Sequence, residues 1–583
     1  MKNEEFATAL GGFNKESIMR NKIFNMGKRS MKMTMKLLGA AFFILHSSFF
    51  ISCNDYLDKL PDERAELDTN LKITQLLVSA YPSVTNNLLM EMISDNVGDN
   101  GRAYASPVLC EDIYRLEDTP EESTDSPYSI WGGYYESVAV VNEAIQGIEG
   151  LGNPESLRGD LAEAKLIRAY SMFMLAQTFC MAWNPEKADE YLGLPYPLVP
   201  EQDINATYER GTLRQLYEAI NKDIEEALPY IEEASGKFSV PKYHFNTKAA
   251  YAFAARFNLY YMNYDKAIQY AGQTLGSDPT TVMRDYEPYR SLGRDDFGNR
   301  WIRSEEQANL LLMTAYSTSG RNMTWASSSR FVHNYDMTAY ETFWVDMPWG
   351  SGSSNNTIIY ANKLYGSNQC VAFPTYEEQF EYTDKVAGIG YPHIVDPVFT
   401  GDMTILERAE AYCLKGNLDL ALQDINTWIR THCKEEEGST KRPVMTIASI
   451  KAYVTGVDYA KRTPDGNRDR SFRKHMHPQG FKIDAEGSDQ ECMLQFLLHM
   501  KRLESVFHGL RFADLKRYGI EYTHFVAGED PIVFIRGDLR GAIQIPNTVQ
   551  AAGLPGNPRQ TAEEIKAFVA STESEYINPE DEE

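Results

Sequence analysis

The sequence predicts a mainly α protein: a tetratricopeptide-like scaffold of repeated helix pairs, interrupted by long irregular loop insertions and a few short strands. Two observations carry this prediction. Small residues recur at helix-pair spacing in separate parts of the chain, as they must where two antiparallel helices pack closely. Between those pairs run stretches rich in Gly, Ser, Asn, Tyr and Trp, longer than ordinary connections and therefore expected to carry function.

The first element is a leader. The apolar run Leu37 to Ile51 is 15 residues long and contains His46, Ser47 and Ser48, whereas a membrane-spanning helix needs about 20 apolar residues. Lys28, Arg29, Lys32 and Lys36 precede it, so residues 1–52 read as a signal peptide with an upstream extension, the compact form starting at Met31. The stretch "FISC" resembles a lipobox and places Cys53 at the cleavage point. A cysteine there offers a thiol and a new amine for acyl chains, each buried methylene adding about 0.8 kcal/mol of membrane affinity. Cys53 is the predicted lipidation site, with the folded body outside the hydrocarbon.

Charge narrows the function classes. The chain has 57 Lys+Arg and 82 Asp+Glu, a formal net charge of −25. Residues 1–52 carry 8 of the basic and 3 of the acidic side chains, so the remainder stands at −30. A nucleic-acid partner is excluded on this balance. Aromatic residues make up 12% of the chain, with 35 tyrosines, which points to a folded, tyrosine-rich body rather than a disordered acidic one. Beyond Cys53, the six cysteines Cys110, Cys180, Cys370, Cys413, Cys433 and Cys492 form no CxxC pair. Cys180 and Cys413 fall within helical apolar patterns and read as buried free thiols.

The helical elements follow. "WGGYYESVAVVNEAIQGIEG" from Trp131 and "AEAKLIRAYSMFMLAQTFC" from Ala162 carry related apolar faces. "AYAFAARFNLYYMNYDKAIQYAGQTLGSDP" places Ala255, Ala267 and Ala271 around a turn at Met262 to Tyr264, with Pro279 expected to end the second helix. A second copy, "ERAEAYCLKGNLDLALQDINTWI", uses Ala409, Tyr412, Gly416 and Ala421 in the same roles. Trp131 and Trp428 have helical spacing that suits core packing. The insertions are 96–129, 276–305 and 317–395, and "ANLLLMTAYS" ahead of the third reads as a strand.

Several blocks together resemble a known family. "SCNDYLD" at the cleavage point, "AEAKLIRAYSMFMLAQTF" and "LPYPLVPEQ" are similar to the N-terminal blocks of the SusD/RagB-type outer-membrane lipoproteins of Bacteroidetes. "KRLESVFHGLRFADLKRYGI", with Glu504, Gly509, Arg511, Asp514 and Arg517, and "RGAIQIPNTVQAAGLPGNP", with Ile545-Pro546 and Asn557-Pro558, resemble its C-terminal blocks. His508 stands where the family usually has glutamate, which touches a local ion pair. The resemblance runs from Cys53 to about Pro558. It implies a surface-exposed nutrient-binding lipoprotein, without enzyme activity or cofactor, that closes over a TonB-dependent transporter (SusC-like) barrel and delivers oligosaccharide or peptide to it. It also implies a single SusD-like domain over 53–583, divided into an N-terminal repeat part 53–275, an aromatic-rich insertion 276–400, a C-terminal repeat part with the family blocks 401–560 and an acidic tail 561–583.

Sugar binding needs flat apolar faces for the C–H surface of a ring and planar polar groups for its hydroxyls. Two stretches supply that kit. "SDNVGDNGRAY" offers Asp95, Asn96, Asp99, Asn100, Arg102 and Tyr104, and the mid-chain insertion offers Trp325, Tyr335, Tyr340, Trp344 and Trp349. Trp325, Trp344 and Trp349, set among Ser, Gly and Asn, are the tryptophans expected to meet ligand.

Other motifs carry less. "DNVGDNGR" lacks the spacing of a calcium loop and its later glutamate. Asp296-Phe297-Gly298 has no kinase companions and reads as a turn. His475 and His477 form at most half a metal site, so no metal is assigned. A glycoside hydrolase, needing only two carboxylates about 5 to 10 Å apart, and a peptide-binding repeat scaffold are the alternatives. There is no H-E-x-x-H, no G-x-S-x-G and no strand-helix alternation of a barrel to support an enzyme.

Overall fold

The computed structural model describes residues 67–201, 208–324, 329–366 and 371–577; Cys53, Trp325 and Cys370 lie outside them. Helix pairs set the architecture. Pro127–Gly150 packs on Arg158–Phe179, which packs on Leu213–Ala227. Thr247–Tyr260 pairs with Tyr264–Leu275, and that helix contacts Gly401–Leu414, which pairs in turn with Leu418–His432. Asp489–Ser505 lies between the 401–414 helix and Ile447–Thr455.

Local chemistry explains where these helices start and stop. Ser126 accepts a hydrogen bond from Ser129 N (3.2 Å) and Pro127 occupies the first turn, where its missing N–H costs nothing. Asn246 caps the 247–260 helix through Ala249 N, and Thr400 caps the 401–414 helix through Met403 N. Between the paired helices Met262 adopts φ +63°, and the 264–275 helix ends at Gly276, φ +65°. Glycine, with no Cβ, reaches that conformation without strain, so Gly276 ends the helix; Pro279 opens a separate turn of 3₁₀ helix. Ala249, Ala250, Ala252, Ala254 and Ala255 are buried, as are Ala267 and Ala271 on the helix packed against them, in line with the close approach that the alanine spacing predicts. Cys110, Cys180, Cys413, Cys433 and Cys492 are buried free thiols.

The insertions are more ordered than irregular loops. Asn309–Tyr316 and Gln379–Asp384 flank the central strand Ile389–Thr400 in a three-stranded antiparallel sheet, with Asn309 opposite Thr400, Tyr316 opposite His393 and Tyr382 opposite Gly390. Tyr286, Tyr289, Phe297, Trp301, Phe343, Tyr360, Phe373 and Tyr376 are all buried within the main core. Most aromatic side chains of 276–400 therefore fasten the insertion to the helices. Asp296-Phe297-Gly298 is a correction: it lies within the helix Arg294–Trp301, and Phe297 stacks on Trp301 (5.9 Å).

The C-terminal blocks form a buried ionic lattice. Arg517 pairs with Glu410 (2.8 Å) and Asp514 (2.9 Å), and Lys501 joins the same two carboxylates. Glu504 accepts from Trp428 Nε1 (3.1 Å) and His432 Nε2 (3.0 Å). His508 bonds the Tyr376 hydroxyl through Nδ1 (2.7 Å). The Asn557 amide donates to the carbonyls of Phe179 (3.0 Å) and Ile543 (2.7 Å) while its oxygen accepts from Arg210 (2.8 Å). Breaking one side of such a buried pair costs about 3–5 kcal/mol, so these blocks weld the end of the chain to its beginning. No helix among the described residues is long and apolar enough to cross a membrane.

Candidate ligand-binding site

The early loop and the mid-chain insertion, separated by more than 200 residues, meet as paired strands. Gly98 lies opposite Val332 and Asp99 opposite Phe331. Asn100 N donates to Arg330 O (2.9 Å) and Arg330 N to Ala105 O (2.9 Å). The Arg330 guanidinium grips Asp99 through both carboxylate oxygens (2.9 and 3.0 Å), the fork geometry that makes such pairs strong and directional. Just beyond, Asn334 caps the short helix Tyr335–Tyr340 by accepting from Met337 N (3.1 Å).

Beside this junction opens a cleft of about 380 Å³. Residues of the 95–99 loop, the 334–341 segment and the 461–474 and 521–525 stretches line it, among them Asp99, Asp336, Glu341, Asp465, Arg470 and Lys474. Its floor is a charge network. Asp95 receives both arms of Arg511 (2.8 Å each) and lies 3.5 Å from Arg502. Glu341 accepts from Lys474 (2.8 Å), Arg470 (2.9 Å) and Arg502 (3.2 Å). Burial pushes both carboxyls up, but the surrounding cations outweigh it: Arg502 and Arg511 hold Asp95 far below the usual range, and Lys474, Arg502 and Arg470 hold Glu341 down as well. Both are ionised and already engaged. Tyr114 stacks between Phe331 (4.3 Å) and His524 (4.1 Å), and burial lowers the pKa of His524, whose two nitrogens face the carbonyls of Tyr114 and Ser94.

The sequence candidates divide by burial. Asp99 borders the cleft, and Tyr335 and Tyr340 sit on its helix with 36% and 38% of their surface exposed. Arg102 is exposed and donates through Nε to Ala527 O (3.0 Å); Tyr104 is half-buried against Val332. Asp95 reaches the cleft only with occupied oxygens. Asn96 is fully buried, bonded to Glu91 (2.9 Å) and to Arg502 (2.7 Å), and is out of reach of a ligand. Trp344 is half-buried, its Nε1 tied to Ala361 O (2.9 Å) and its ring edge-on to Tyr335. Trp349 has 0% exposure and packs on Trp428, Phe496 and His499. The ligand contact expected of Asn96 and Trp349 is therefore withdrawn. Their Gly- and Asn-rich neighbourhoods signal turns, and a turn can fold inward as well as outward.

Trp428 packs in the core as its spacing predicts, but Trp131 does not: it is half-buried, against Tyr135 and Phe179, and lines an apolar cavity of about 350 Å³ with Pro195, Val199 and Leu554. Asp336, Glu341, Asp465, Asn467, Arg470 and Lys474 were missed. Only the turn chemistry of "TPDGNRD" over 463–469 hints at them, and it does not say what the turn faces. His475 bonds Glu486 (2.7 Å) and His477 lies 3.5 Å from Glu575, so each has its own partner. Among the described residues, Asp402, His432 and Glu504 offer oxygen and nitrogen atoms within 4.8 Å of one another, fully inside the core and beside Arg284.

Residues 55–259 match the SusD-like_3 family model, described as starch-binding associating with outer membrane. A SusD superfamily protein from Bacteroides thetaiotaomicron is similar in structure, at 17% identity and a TM-score of 0.53, over 85% of this chain and 100% of that one. A SusD superfamily protein from Bacteroides fragilis gives 16% identity and 0.53 over 84% and 98%, and a putative sugar binding protein from Bacteroides vulgatus gives 14% and 0.54 over 85% and 99%. No curated protein matches. The chain thus shares the fold of these solved structures, mainly helical as its sequence predicts, and its residues 55–259 resemble the SusD-like_3 family.

Proposed function

We propose that this protein binds an oligosaccharide in the cleft between the 95–104 loop and the 331–341 segment and passes it, unchanged, to a TonB-dependent transporter barrel in the outer membrane. In this reading lipidated Cys53 tethers the body at the cell surface. The observation that carries it is the junction itself: strands at 98–99 and 331–332 bring together the two stretches whose residue types suit a sugar, next to a concave polar space lined by Asn334, Asp336 and Met337 of the segment that also carries the exposed Tyr335 and Tyr340. The family model's description and the sugar-binding relative from Bacteroides vulgatus support the same choice.

Binding is favoured over hydrolysis by the state of the cleft carboxylates. A glycosidase needs one carboxyl kept protonated near neutral pH as its acid. Asp95 and Glu341 are held ionised by arginine and lysine, and Asp99 and Glu521 are each paired with an arginine; Asp336 and Asp465 have no such pair, and for them the fate of the sugar decides. Titration calorimetry against a glycan panel, followed by chromatography of the recovered sugars, tests the reading. Saturable binding with intact sugar is expected; shortened products would overturn it.

A further inference from the structure

We infer that the cleft selects uncharged oligosaccharides and rejects those bearing uronate or sulfate groups; this rests on the binding function proposed above. The argument is one of charge pairing. Every cation that lines the cleft already faces a carboxylate. Arg470 and Lys474 are bonded to Glu341, Arg462 to Glu521 (2.9 Å) and Glu573 (2.6 Å), and Lys461 lies 3.6 Å from Asp469. Behind the walls, Arg330 serves Asp99, while Arg511 and Arg502 serve Asp95. An anionic sugar would have to compete with these buried or half-buried partners for its counter-charge, and separating such a pair is costly.

The unbalanced charges have the opposite sign. Asp336 accepts only a weak bond from Asn467 (3.3 Å), and Asp465 is exposed with its carboxylate free of any side-chain bond; neither has a cationic partner among the described residues. Both line the cleft, Asp336 from the 335–340 helix and Asp465 from the 463–469 turn. Two unneutralised carboxylates repel a uronate or a sulfate, yet each is a good acceptor for a sugar hydroxyl. Two such acceptors suit the donor hydroxyls of a neutral sugar. Across the whole chain the net charge of −25 acts in the same direction.

The test uses the whole mature chain with oligosaccharides of matched length, one set neutral and one carrying a uronate or sulfate on the same backbone. Calorimetry at low salt should give anionic sugars at least tenfold weaker binding, equivalent to about 1.4 kcal/mol, with the gap shrinking in high salt as screening sets in. The double variant Asp336→Asn, Asp465→Asn should narrow the neutral-to-anionic ratio severalfold. Anionic sugars that bind as tightly as their neutral partners would overturn this selectivity while leaving the binding function intact. A ratio that the double variant does not change would overturn the role of the two carboxylates. Failure of both sets to bind would overturn the underlying function, and the selectivity with it.

Discussion

Replacing Trp349 by alanine separates a structural aromatic from a ligand-binding one. The indole has no exposed surface and rests on Trp428, Phe496 and His499, with ring centroids 6.0, 5.4 and 6.2 Å away. An aromatic of this size buries roughly 150–250 Å², which at about 25 cal/mol per Å² amounts to roughly 4–6 kcal/mol as an upper bound. Measured truncations of buried Phe and Trp cluster at about 3–5 kcal/mol once partial collapse of the cavity is included. Trp349→Ala should therefore lose about 3–5 kcal/mol in urea denaturation followed by circular dichroism. In native buffer the variant that remains folded should bind oligosaccharide with the affinity of the parent chain. A variant of unchanged stability with severalfold weaker binding would refute the burial argument and return Trp349 to the site.

Tyr340→Ala should behave in the opposite way, weakening oligosaccharide binding severalfold by calorimetry while the melting temperature barely moves, because the ring is exposed on the helix that lines the cleft and a stacking contact is worth about 0.5–1.5 kcal/mol. Asp95→Ala leaves Arg511 and Arg502 buried without their carboxylate and should cost about 3–5 kcal/mol of stability. Because the folded-state pKa of Asp95 is depressed, its contribution is complete above the unfolded value of about 3.9 and is lost as pH falls below it. Asp95→Asn should accordingly flatten the acid side of the stability profile below about pH 5, and an unchanged profile would count against the pairing. Cys53→Ala should release the protein from the membrane fraction on ultracentrifugation, and retention in that fraction would contradict lipid anchoring.

How much of this was legible beforehand depended on what each residue's spacing encodes. Alanine periodicity in 247–275 and 401–432 specifies helix pairing because close approach admits few other side chains, and both pairs are found. Strand 309–316 was equally plain. The site was harder, since Gly, Asn and Asp announce that the backbone turns without saying which way the side chains then face. Asp95 and Asn96 look like the neighbouring Asp99 in sequence, yet Arg511 and Arg502, more than 400 residues away, draw the first two inward. The same long-range logic hid Lys474 and Arg470, which matter only because Glu341 lies opposite them. Trp131 escaped for the converse reason: its helical spacing suits a core, but the 195–201 and 549–554 segments leave a cavity over it.

The most direct measurement is a crystal structure of the mature chain soaked with a neutral oligosaccharide that calorimetry has shown to bind. The account predicts sugar in the cleft, its hydroxyls within hydrogen-bond distance of Asp336 or Asp465 and a ring against Tyr335 or Tyr340. Sugar bound elsewhere, for instance over Trp131 and Tyr135, with the cleft holding only water, would contradict it.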